Sequence, residues 1–206
     1  MRCRRFAYTL AEVLITVSVI GVVAVMSIPF LKYGSDEARY IASVKKAYET
    51  VQSATSMLEV TKGDMAFWDW SNNPSIVAGY KKTMSSDSSF TYEYNTQFMD
   101  GNSAITLKSE NGFITNDGML WYFVSNGATS GTIYVDINAN QLPNRVGVDV
   151  FGFSVSKDGV YPLGRNTKSE TEKDYACTNY VVRTSKMPWI TDSSYKNCKD
   201  IRILNF

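Results

Sequence analysis

Tyr8-Thr9-Leu10-Ala11-Glu12, preceded by Arg2, Arg4 and Arg5 and followed by an apolar run from Val13 to Leu31, is the stretch on which the fold turns. As a helix, Val13 to Leu31 rises about 28 Å, close to the ~30 Å hydrocarbon core of a bilayer. Its centre, Val17 to Met26, is rich in valine and isoleucine. Their weak helix propensity in water matters little where lipid forces every backbone amide to bond internally. The run therefore predicts a membrane-spanning helix. Three arginines precede it and no basic cluster follows at once, which predicts a cytoplasmic N-terminus and an exported bulk. Glu12 is the anomaly. A carboxylate in hydrocarbon costs several kcal/mol and is retained where it meets a partner, so Glu12 reads as functional.

A secretory signal peptide also has a basic start and an apolar core, but no small-x-small cleavage site closes this run. Pro29, Phe30, Leu31, Lys32 and Tyr33 follow instead. A plain single-pass anchor leaves Glu12 unexplained. Beyond Pro29 the apolar residues Ile41, Val44, Tyr48, Val51, Thr55 and Leu58 recur at alternating spacings of three and four, with Lys45, Lys46, Glu49 and Glu59 between them. That is an amphipathic helix whose stripe packs on a sheet. Lys62 falls in its last turn and Gly63 suits a left-handed C-cap. One long helix over about 9–62 is expected, softened at Gly21 and kinked or locally melted at Pro29, whose nitrogen cannot donate.

On these residues the N-terminus resembles type IV prepilins and the pseudopilins of type II secretion. Their pattern is a short basic leader, a glycine, then Phe-Thr-Leu-x-Glu and an apolar helix. Thr9, Leu10 and Glu12 match; Ala7 stands at the glycine and Tyr8 at the phenylalanine. The resemblance implies cleavage between Ala7 and Tyr8 by a prepilin peptidase/methyltransferase, N-methylation of Tyr8, and a filament register set by Glu12 against the Tyr8 amine of a neighbouring subunit. Pro29 falls where many pilins carry a helix-kinking proline. The implied fold is α+β and pilin-like: a long N-terminal transmembrane/amphipathic α-helix packed on an antiparallel β-sheet head with a disulfide-bounded C-terminal loop. The implied organisation is a cleaved leader (1–7), a transmembrane and filament-core half-helix (8–31), an amphipathic half (32–63) and an exported head (64–206). The implied location is the bacterial inner membrane, then an extracellular or periplasmic filament. Implied partners are other pilin or pseudopilin subunits, the peptidase, an assembly platform and its ATPase, and the membrane.

From residue 64 the chain changes to aromatics, Ser, Asn and Gly. Phe67, Trp68 and Trp70 open a loop-rich connection, and Ser75 to Met84 predicts a short helix introduced by Asn73 and Pro74. Ala104 to Lys108, Gly112 to Thr115, Met119 to Ser125, Thr132 to Ile137 and Val148 to Val155 are β-rich. Turns at Glu110-Asn111-Gly112, Asn116-Asp117-Gly118, Asn126-Gly127 and Lys157-Asp158-Gly159 favour an antiparallel meander. Packed on the amphipathic half-helix, that sheet makes an α+β head of single-domain size.

The chain carries 21 Lys and Arg against 20 Asp and Glu; removing Arg2, Arg4 and Arg5 leaves 18 against 20, no general drive toward nucleic acid. Cys3 lies in the leader, whereas Cys177 and Cys198 lie together in the exported segment and predict one disulfide around an irregular stretch. With no histidine and no further exported cysteine, those two thiols do not make a zinc site. Asp136, Asn138 and Asn140 recur at alternate positions, with Gly147 and Asp149 beyond, which resembles the start of a calcium loop. The glycine and terminal Glu of an EF-hand are missing, and a hairpin connection fixed by Asx turns and Pro143 accounts for the same residues. Some secretion pseudopilins hold calcium near their sheet, so Ca2+ is a possible ligand and no cofactor is required. The absence of histidine, of a phosphate loop and of a nucleophile elbow argues against an enzyme. The expected function is a structural filament subunit of a type IV pilus-like or type II secretion filament, major or minor. The alternative is a membrane-tethered or filament-tip adhesion module using Trp68, Trp70 and Trp189, for which exposed tryptophans would speak and buried ones would not.

Overall fold

The computed structural model describes residues 9–84, 86, 90, 93–139, 141–165, 169–192 and 194–201, with the backbone only for 26–35, 94 and 171. Helix α1 runs from Leu10 to Lys62 without a break, including Gly21 and Pro29. It ends where Gly63 takes a positive φ of 84° and donates to the Glu59 carbonyl at 2.9 Å, the left-handed cap expected there. The chain divides into two units, Met1–Ala38 and Arg39–Phe206.

In the first unit every described side chain from Thr9 to Val25 is exposed, among them Leu14, Ile15, Val17, Ile20 and Val22. The expected membrane-spanning, pilin-like fold class and, with it, the inner-membrane single-pass location with an exported head are corrected on other grounds. Among the described residues no helix is long and apolar enough to cross a membrane. Between Leu10 and Val25 polar side chains interrupt the apolar surface: the helix carries Glu12, Thr16 and Ser18 there.

The second unit is α+β. Strands β1 (Tyr94–Gln97) and β2 (Ser103–Leu107) form a hairpin, and β3 (Gly112–Ile114), β4 (Leu120–Ser125), β5 (Ser130–Asp136), β6 (Val150–Ser156) and β7 (Gly159–Pro162) form an antiparallel meander in sequence order. Side chains alternate between its faces. Phe123, Ile133, Val135, Phe151, Phe153 and Val155 are fully buried on the face that receives α1, where Val44, Ala47, Val51, Ala54 and Leu58 form the matching stripe. Tyr48 stacks on Phe153 at 5.6 Å, which fixes the helix over β6. Helix α2 (Asn73–Thr83) seals one end: the Tyr80 hydroxyl meets Thr55 Oγ1 at 2.7 Å and its ring lies 5.1 Å from Phe123. Because Thr55 Oγ1 itself donates to the Val51 carbonyl, Tyr80 is the donor of the shared bond.

The opposite face of the sheet is covered in part by the C-terminal segment. It carries helices α3 (Glu170–Asp174) and α4 (Ala176–Thr184), so the stretch between the two cysteines, expected to be irregular throughout, opens as helix up to Thr184. The Tyr175 ring lies 5.0 Å from Tyr134, and Thr178 Oγ1 accepts the Gly152 amide at 3.1 Å. A sequence rich in Thr, Asn, Tyr and Val has weak helix propensity of its own, and tertiary packing of Ala176, Cys177 and Val181 supplies the rest.

Candidate functional site

At the head of α1, Thr9 and Glu12 form a reciprocal pair. Glu12 Oε2 accepts from the Thr9 amide and from Thr9 Oγ1, each at 2.9 Å, and the Glu12 amide donates to Thr9 Oγ1 at 3.2 Å. This is a capping box, in which N-cap and N3 side chains satisfy each other's orphan amides. It gives Glu12 a local role that needs no distant partner. The signal, Thr-x-x-Glu before an apolar run, stood in the sequence beside the reading that treated Glu12 as anomalous. Ala7 and Tyr8, the expected cleavage and methylation positions, lie outside the described residues. Pro29 lies within the unbroken α1, and its side chain lies outside the described ones.

The loop between β5 and β6 brings Asp136, Asn138 and Asp149 together. Both carboxylates are fully buried. Asp149 Oδ2 accepts the Asn144 amide at 2.9 Å and Oδ1 the Arg145 amide at 2.6 Å, while its carbonyl accepts the Ile137 amide at 3.0 Å. Burial pushes the Asp149 carboxyl up to about 6, outweighing these amides and the Asn138 side chain, which favour its charged form. Asp136 Oδ1 accepts the Asn138 amide at 3.1 Å. With its side chain turned nitrogen-inward, Asn138 donates to Asp136 Oδ1 at 2.6 Å and to the Gln141 carbonyl at 3.3 Å; turned oxygen-inward, it faces acceptors alone. Asn144 Oδ1 is buried without a hydrogen-bond partner. Among the described residues there is no group of three or more His, Cys, Asp or Glu that could hold a metal. Amide and carbonyl oxygens are nevertheless ordinary calcium ligands. The inward oxygens of Asp136, Asn138 and Gln141, with the orphaned Asn144 oxygen close by in the chain, are compatible with a hard cation. Asn140 lies outside the described residues.

The C-terminal segment is stapled onto this loop. Cys177 and Cys198 form the expected disulfide, with Cα atoms 5.0 Å apart. It rests on Gly147, where a β-carbon would come 2.6 Å from Cys177 Sγ and 2.8 Å from Cys198 Sγ, and where φ is +83°. Trp189 Nε1 donates to the Gly147 carbonyl at 2.6 Å. Farther along, Asn197 Nδ2 donates to Asp100 Oδ2 at 2.6 Å; the Asn102 amide and this bond hold the Asp100 carboxyl below its ordinary range. No sequence spacing announces the contact of Gly147 with the disulfide.

Trp68, Trp70 and Trp189 are all buried, at 5%, 0% and 7% exposure, so an adhesive surface made of these rings is not present. Trp68 Nε1 donates to the Gly63 carbonyl at 2.8 Å, and Trp70 lies over Gly131, where a β-carbon would stand 2.1 Å from its ring. Comparison with known protein families, curated proteins and solved structures gives no match to this chain.

Proposed function

We propose that this chain is a structural subunit of a filament of the prepilin or pseudopilin kind, assembled through α1. The observation that carries this reading is the unbroken exposure of Leu10 to Val25. Ten large apolar residues there are at least 48% exposed. Covering each one stabilises an assembly by about 1.5–3 kcal/mol. A helix that exposes this many large apolar side chains is stabilised by enclosure, and copies of the same helix can enclose one another. Prepilin peptidase/methyltransferase acting at Ala7 and Tyr8, and an assembly platform with its ATPase, belong to the same proposal. Leu14→Lys with Val22→Lys tests it: filaments or sedimenting assemblies should be lost while the buried tryptophans keep their native fluorescence. Assembly by the doubly charged variant would refute it, and N-terminal sequencing of protein from its own host tests the cleavage.

The β5–β6 loop supports a second, accessory reading, a calcium site. Asp136, the Asn138 side-chain oxygen and the Gln141 carbonyl would hold the cation, which would supply positive charge beside two buried carboxylates. Calcium should raise the melting temperature of the wild-type chain over a chelated sample and leave Asp136→Asn unmoved. Equal shifts in both proteins, or none in the wild type, would remove the site.

A further inference from the structure

The outer face of the five-stranded sheet is only half covered. Tyr134 and Gly152 lie beneath Tyr175 and Leu163. Farther along the same face, Ser154 and Ser156 of β6 and Tyr161 of β7 line an open cleft of about 440 Å3, walled by Asp158, Arg165 and Glu172. Ser154 and Tyr161 are register partners, so they are held side by side on one face by the strand pairing. The volume falls in the ~300–1,000 Å3 range of small-ligand sites.

Several of these groups are fixed. The Tyr161 hydroxyl donates to the Asp158 carbonyl, and the Arg165 guanidinium carbon lies 4.0 Å from the centroid of the Tyr161 ring. Glu172 Oε2 accepts the Gly164 amide at 2.5 Å, which anchors that carboxylate to the turn that carries Arg165. Stacking orients a guanidinium while leaving its N–H fork open for a planar anion. Among the described residues no hydrogen bond or ion pair engages the Arg165 guanidinium or the Ser154 hydroxyl.

An orienting cation, a free hydroxyl and two acidic walls do not suit a bare anion. Sulfate, or phosphate as its dianion, would meet Arg165 but bring too few hydroxyl donors to offset its repulsion by Glu172 and Asp158. A neutral sugar would leave the guanidinium fork unused. A polyol that also carries a carboxylate satisfies both, because its hydroxyls donate to the acids and accept from serine. We propose that this cleft binds a hexuronate, with the sugar carboxylate on Arg165 and the ring hydroxyls shared between Ser154 and Glu172. The site is independent of α1 and of the filament reading.

Titration of the full chain with glucuronate, glucose and inorganic phosphate, followed by ligand-observed NMR, tests the proposal. Glucuronate should saturate near 1 mM or below, with glucose and phosphate weaker by about tenfold or more. Arg165→Gln should weaken glucuronate by about tenfold, and Ser154→Ala by about threefold, with native tryptophan fluorescence in both. A glucuronate-containing disaccharide that binds more tightly than the monosaccharide assigns the ligand to a glycan chain; equal binding assigns it to the free sugar. Glucose or phosphate binding as well as glucuronate, an unchanged Arg165→Gln, or no saturable binding would overturn it.

Discussion

Asp149 should make the head less stable as pH rises through the weakly acidic range, and Asp149→Asn should remove that dependence. The carboxyl is fully buried and pushed from 3.8 up to about 6. Between those values the folded chain binds a proton that the unfolded chain has already released. Stability therefore falls as pH rises across that window and is level above it. The displacement of roughly two units corresponds to about 3 kcal/mol. The amide donors from Asn144 and Arg145 limit the loss, since without them the buried charge would stand alone. Urea unfolding followed by tryptophan fluorescence, with a chelator present, measures this at pH 4, 5, 6 and 7. Subtracting the Asp149→Asn curve cancels every other titrating group. The expected difference declines by about 2 kcal/mol between pH 4 and 6, by a few tenths more to pH 7, and is flat above that. A difference that is constant with pH would show that the amides balance burial, and one that rises would show that they outweigh it; either refutes the expectation.

Gly147→Ala forces a β-carbon against both cystine sulfurs at a positive φ; a loss of 1 kcal/mol or more, read as a fall of at least about 2–4 °C in melting temperature, is expected. Replacing Cys177 and Cys198 with serine opens a closure of 21 residues and should cost roughly 3 kcal/mol in chemical denaturation. Tyr80→Phe removes one buried hydrogen bond while Thr55 keeps its bond to Val51, so a loss of about 0.5–1.5 kcal/mol is expected; a much larger value would mean that the ring had moved. Glu12→Gln keeps a capping-box residue without its charge, whereas Glu12→Ala keeps neither. Assembly that survives the first and fails in the second makes the cap the role of Glu12, and failure in both makes it the charge.

The second half of α1 could be read from the chain because its stripe repeats at helical spacing over five turns; Val44, Val51, Thr55 and Leu58 are buried as that spacing requires. Five of the seven strands were marked by β-branched runs between Asn-Gly and Asp-Gly turns. The hairpin strand Tyr94–Gln97 and the short Gly159–Pro162 were not, since the first is polar and the second starts at a glycine and ends at a proline. Helix α4 escaped because Thr, Asn, Tyr and Val are poor helix formers until the sheet beneath them is in place. At the N-terminus two explanations compete for Glu12: a charge at the head of an apolar run in need of a partner, and the four-residue cap that it makes with Thr9, which the hydropathy of Val13 to Leu31 overshadows in the sequence. Asp136 and Asp149 were paired by oxygen spacing, but nothing in the sequence foretold that both would be fully enclosed.

The meander's two margins are β3, of three residues, and β7, of four, the latter closing at Pro162. Each exposes only a few backbone donors and acceptors, too few to template an added strand, and the proline withholds one donor outright. The meander is consequently protected against runaway sheet-to-sheet growth at its own margins even where many copies are held close together. Crowding along a fibre would then concentrate these domains without knitting their backbones, and each could keep its own fold and loop surfaces in a densely packed array.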